Sequence, residues 1–218
     1  MSKVKRDGKR RKRSECLNKR NLKLAYYLII VDTKETEKNY FYGLRESIPN
    51  DLKDKLEIKV IKTKSKNLVE EACRIRSEQI QNRSVWIVID RDEVKDFDEI
   101  VHLAEKQEIN VGWTNPCIEE WFYAYFGKMP TYQSPKQCCI NFSKKFEDIT
   151  GQKYSKSDKD IYNKLNEFGD EDKAISIAQK KNKDHLSNGY LYPSQMVPGT
   201  KIHELVSSIK SNINKQLH

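Results

Sequence analysis

Residues 85–92 read VWIVIDRD, five apolar and mostly β-branched residues running straight into Asp90, Arg91 and Asp92. A run this short, bounded by charge, reads as a strand buried on both faces rather than as helix. Upstream, residues 24–31 (LAYYLIIV) form a second such run, ended by Asp32. Each is followed by helical spacing. Tyr40, Phe41, Leu44 and Ile48 share a face behind Thr36 as the expected N-cap, and Pro49 stops that helix. Residues 56–61 (LEIKVI) alternate as a strand, and Leu68, Ala72 and Ile75 follow on a helix opened by Asn67 and Glu70. Beyond Asp92, residues 96–106 carry Phe97, Ile100 and Ala104 at helical spacing, and residues 109–113 make a fourth strand. This alternation predicts an α/β fold, a parallel sheet with helices on both faces and ligands at the carboxyl ends of the strands.

The rest of the chain reads differently. Asn115 and Pro116 suit the start of a helix that continues through the aromatic segment 118–126. Further helices are expected near 135–149, 158–168 and 172–183, then a Pro-containing loop at 190–199 and a closing helix at 201–209. The expected division is a basic arm at 1–23, an α/β core at 24–114 and a helical extension at 115–218.

Charge is distributed as unevenly as pattern. Residues 1–23 hold eleven basic and two acidic side chains, which is the whole net charge of +9. The remainder is balanced, with 30 of each sign. An arm so charged and so poor in apolar residues is expected to be disordered and to suit a polyanion, nucleic acid first, with Arg10, Arg11, Lys12 and Arg13 as its densest cluster. A solubilising tail is the plain alternative. The sequence has no membrane-length apolar stretch and no signal-peptide core, so a cytoplasmic protein with no membrane partner is expected. The five cysteines form no CxxC pair and the four histidines no ligand spacing, so any metal is expected to be a hard ion on oxygens.

Asp90 and Asp92 are two apart on what reads as extended chain, so their carboxylates point the same way and Arg91 points opposite. Converging carboxylates repel, and a cation relieves them. Mg²⁺ (or Mn²⁺ in its place) takes one or two carboxylates and fills its shell with water and phosphate oxygens. Asp32 ends another strand and Glu37 lies one turn into the next helix, so four carboxylates can share one rim. The alternative is a turn in which Asp90 caps the following helix.

Four segments together resemble the RloB-like protein family: YLIIVDTKETEKNYFYGL at 27–44, VWIVIDRDE at 85–93, TNPCIEEWFYAYF at 114–126 and PGTKIHELV at 198–206. The resemblance spans about residues 20–210. It implies a Toprim-like fold, in which a Glu after the first strand and an Asp-x-Asp after the third bind Mg²⁺ for phosphoryl transfer on nucleic acid. It also implies a nuclease of an antiphage defence system working with an RloA-like ATPase. Carried onto this chain, the family's Glu-Gly falls on Asp32-Thr33, its Thr-Glu on Thr36-Glu37 and its DRD on Asp90-Arg91-Asp92. Asp32 keeps the charge but shortens the reach, and Thr33 replaces a glycine that would let phosphate approach the backbone. A non-catalytic binding or sensor subunit is therefore a second reading, and a receiver domain a third that the Asp-Thr-Lys at 32–34 fits poorly. The metal set extends to Glu119 in the Asn-Pro-Cys segment, whose alternative is a first-turn acid. Lys156, in a Tyr-x-Lys-like stretch, is a candidate for stabilising phosphate charge, against a solvated lysine. Trp121, Phe122, Tyr125 and Phe126 are core or a base-stacking stripe, and a homo-oligomer is left open.

Deleting residues 1–23 should weaken nucleic-acid binding and flatten its salt dependence, by about 0.7 to 0.9 in log–log slope for each phosphate that the arm neutralises. Binding measured across a salt series checks this, and an unchanged slope makes the arm a solubility or partner-docking tail.

Overall fold

The structure is a computed structural model that describes residues 26–31, 35–61, 66–78, 83–92, 94–132 and 134–217. The basic arm, with Arg10, Arg11, Lys12 and Arg13, and the Asp32-Thr33 pair lie outside the described residues. Strands β1 (Tyr26–Val31), β2 (Leu56–Val60), β3 (Arg83–Asp90), β4 (Asn110–Asn115) and β5 (Gly199–Thr200) form one sheet in the order β2-β1-β3-β4-β5. The first four are parallel, as the alternation predicts. The two-residue β5 runs antiparallel to β4 and lies in a stretch expected to be loop.

Period-two alternation sorts the strand residues between two cores. Leu28, Ile30, Val85, Ile87, Ile89, Val111 and Trp113 face helices α2 (Lys66–Glu78) and α3 (Phe97–Lys106). Tyr27, Ile29, Val31, Trp86 and Val88 face the opposite way, toward α1 (Thr36–Ser47) and the C-terminal helices. Those are α4 (Glu119–Tyr125), α5 (Pro135–Thr150), α6 (Ile161–Phe168), α7 (Glu171–Ser187) and α8 (Ile202–Leu217).

Helix α4 is buried at all seven positions, so its rings are core and do not form an open stacking surface. Phe122 packs on Tyr40 of α1 and Phe142 of α5, and Trp121 meets Tyr125 edge-on. The Tyr40 and Tyr125 hydroxyls are hydrogen-bonded at 2.8 Å, Tyr125 donates to Glu171 at 2.9 Å, and Lys210 pairs with Glu171 at 2.8 Å. A polar chain thus leads from the core to a partly exposed lysine on α8, satisfying each group on the way. His185 and His203 bond the Pro198 and Thr200 carbonyls, which fits structural roles.

Two expected caps are placed differently. Thr36 is the first residue of α1, behind Glu35, and its hydroxyl donates across the fold to the Lys156 carbonyl at 3.3 Å. Asn115 is the last residue of β4, where its amide donates to the Pro193 and Ser194 carbonyls, and α4 begins only at Glu119. In both cases a long-range acceptor outcompetes the local capping bond.

Helices α1 and α6 touch at Gly43, where an added Cβ would lie 2.4 Å from the Tyr162 Cβ. Gly43→Ala should therefore force the helices apart and destabilise the fold by about 1–3 kcal/mol, despite alanine's better helix propensity. Urea denaturation of the two proteins checks the sign.

Candidate metal and phosphate site

Asp90 shares the parity of Trp86 and Val88, so its side chain emerges on the sheet face that α1 and α4 cover. There it lines a cleft of about 610 Å³ with Glu37 of α1, Glu119 of α4, Asp92, Cys117, Lys136, Cys139 and Lys156. Three of the expected acids, Glu37, Asp90 and Glu119, thus meet at the carboxyl end of the sheet, and Asp92 stands on the same cleft. Asp32, the remaining one, falls outside the described residues.

Each acid is held differently. Asp90 accepts hydrogen bonds from the Thr114 hydroxyl through one oxygen and from the Ile118 backbone N–H, at 3.0 Å, through the other. Burial, then the Glu37 charge, then more weakly Glu119, push its pKa well above the carboxylate range against those two bonds. Glu37 is 4 % exposed and sits in the first turn of α1. Glu119 is 1 % exposed; its Oε1 accepts from the Tyr154 hydroxyl at 3.0 Å and lies 3.5 Å from the Lys156 ammonium. Its Oε2 is buried and has no hydrogen-bond partner among the described residues. Lys156 reaches in from an exposed position. Burial works most strongly against its charge, but Glu119, Cys139 and Cys117 together outweigh it and hold its pKa above the usual lysine range.

Asp92 departs from expectation. The strand ends at Asp90, and Asp92 has a left-handed φ of 36° on an exposed turn, so the two carboxylates do not repeat along one extended face. The Arg91 and Asp92 N–H groups are taken by the Thr114 and Pro116 carbonyls, and Val94 N–H bonds back to Arg91 O. Those bonds bend the chain away from the strand direction.

Several contributors are illegible in the sequence. Thr114 and Ile118 hold Asp90 from 24 and 28 residues away. Cys117 and Cys139 line the cleft with their sulfurs 3.9 Å apart, although 22 residues separate them and no metal spacing announces them. Glu120 is fully buried behind the cleft, where Cys138 donates to it at 3.4 Å and burial pushes its pKa up to about 8.

The fold and the cleft define an α/β protein with buried acids and two lysines at the carboxyl end of a parallel sheet. The profile of the RloB-like protein family matches residues 27–209, so the chain belongs to that family. No curated protein and no solved structure gives a significant match. No helix among the described residues is long and apolar enough to cross a membrane.

Because Asp90 holds its proton more tightly folded than unfolded, its ionised form destabilises the native state, and that penalty shrinks as pH falls from the raised folded pKa and is gone below the unfolded one. Asn removes the penalty but also the oxygen that accepts from Ile118, so metal-free Asp90→Asn should compare best with the wild type at pH 7.5 and lose ground on acidification. Melting curves over a pH series test the sign, and a difference that does not move with pH contradicts it.

Proposed function

We propose that the chain is a metal-dependent nuclease, hydrolysing phosphodiester bonds in DNA or RNA on a Toprim-like core. The observation that carries this reading is the meeting of Glu37, Asp90 and Glu119 in one cleft that also holds Lys136 and Lys156. Their oxygens suit a hard ion, Mg²⁺ or Mn²⁺, because Asp90 is crowded by like charge from Glu37 and Glu119. Such an ion would neutralise the scissile phosphate and lower the pKa of an attacking water.

The chain's own residues set the geometry. Thr114 and the Ile118 N–H fix the Asp90 carboxylate before any ligand arrives, so no reorganisation is needed there. Glu37 and Glu119 add oxygens from two other elements, Asp92 adds one at the rim, and Asp32 would extend the set from the end of β1. Lys156, already beside Glu119, can turn its ammonium to a phosphate oxygen. Arg10, Arg11, Lys12 and Arg13 would supply sequence-independent affinity. Family membership favours a role in antiphage defence in the cytoplasm, with an RloA-like ATPase as controlling partner. The Asp32-Thr33 pair favours a second reading, a nucleic-acid-binding or sensor subunit with weakened catalysis.

Cleavage by the purified protein, with and without the ATPase and across a Mg²⁺ titration, tests the proposal. Asp90→Asn should lower the rate by about 10² to 10³ and Asp92→Asn should impair it, with circular dichroism unchanged. An Asp90 variant that cuts at the wild-type rate removes the metal assignment, and a wild type inert under both conditions favours the sensor reading.

A further inference from the structure

One wall of the cleft has a different chemistry. Cys117, between β4 and α4, and Cys139, in the second turn of α5, bring their sulfurs to 3.9 Å. Ligand atoms of Cys117, Cys139 and Glu119 all lie within 4.8 Å of one another. In a tetrahedral zinc site with bonds of about 2.3 Å to sulfur, the two sulfurs stand about 3.8 Å apart. The thiols are therefore already at ligating separation. A second, independent observation points to a missing ligand: Glu119 is 1 % exposed and its Oε2 is buried without a partner among the described residues.

We propose that Cys117, Cys139 and Glu119 form a thiophilic metal site, with Zn²⁺ as the matching ion, adjoining the oxygen set around Asp90 and sharing Glu119 with it. Two thiolates and a carboxylate around Zn²⁺ leave one negative charge, and the Lys156 ammonium 3.5 Å from Glu119 balances it. Sulfur donors discriminate against Mg²⁺, so the two sites select different ions from one mixture. Three protein ligands leave a fourth position open to water or to a substrate oxygen, the pattern of reactive rather than purely structural zinc. Cys138 donates to Glu120 at 3.4 Å and touches Cys117 from behind; it does not line the cleft and is not among the three converging ligand atoms.

The test is a Co²⁺ titration of the full reduced chain in excess Mg²⁺, read by the thiolate-to-cobalt charge-transfer absorption, followed by competition with Zn²⁺. The wild type should bind one Co²⁺ through two sulfurs and lose it to Zn²⁺. Cys117→Ser and Cys139→Ser should each weaken binding by more than the roughly 100-fold that loss of a mere supporting partner can cause. Cys73→Ser and Asp92→Asn should retain the signal. The Asp92 variant separates this site from the proposed nuclease centre, since it should impair cleavage while keeping cobalt. On unmutated protein, Zn²⁺ should protect Cys139 from alkylation, read by mass spectrometry, so the result does not depend on the variants folding. Absence of charge-transfer absorption in the wild type, or its survival in both ligand variants, overturns the proposal.

Discussion

The carboxylate of Asp90 is the joint on which the functional edge of the molecule turns. Through one oxygen it holds Thr114 at the end of β4, and through the other it holds the N–H of Ile118 at the entry to α4. The backbone repeats the link, Arg91 to Thr114 and Asp92 to Pro116. Strand β3, strand β4 and helix α4 therefore cannot shift independently there. The same carboxylate faces Glu37 and Glu119, so the group that fixes the geometry is also the one whose ionisation the surroundings resist.

That tension is sustained by packing. Helix α4 is enclosed by the sheet, α5, α6 and α7, and it carries Glu119 and Glu120 inside with its aromatic residues. Burial of each large side chain contributes about 1.5–3 kcal/mol, enough collectively to keep acids where solvent would otherwise claim them. Tyr154 and Lys156 soften the burial of Glu119 from one side only. Its other oxygen and the adjacent thiols give the cleft two chemically distinct walls, oxygen donors toward β3 and sulfur donors toward α5.

Local pattern carried much of this. The apolar runs at β1 and β3 and the alternation at β2 were legible because a strand's burial is written in consecutive residues, and the helix faces of Leu68, Ala72 and Ile75 because 3.6-residue spacing is equally local. Asp90 at the end of β3 was legible for the same reason, since the sheet's polarity decides which rim a strand-end acid reaches. What escaped was set by distance along the chain. Thr36 and Asn115 looked like caps, but acceptors more than 70 residues away claimed their side chains. The turn at Asp92 follows from carbonyls of β4 and its exit, not from its neighbours. Cys117 and Cys139 meet only because α5 folds back over α4, and β5 exists only because the chain returns to β4 after α7.

The return of the chain has a temporal side. The sheet face bearing Tyr27, Ile29 and Val31 is closed in part by Ile202, Leu205, Val206 and Ile209 of α8, and Tyr27 shares a hydrogen bond with Ser208 at 2.7 Å. At synthesis rates of about 5–20 residues per second, the first strand waits on the order of ten seconds or more for its covering helix to be made. During that interval the face, once its strands have paired, is covered by α1 but lacks the part that α8 will close. That part of the earliest strands is thus open to aggregation for most of the chain's time on the ribosome, a liability created by the same closure that makes the finished core continuous.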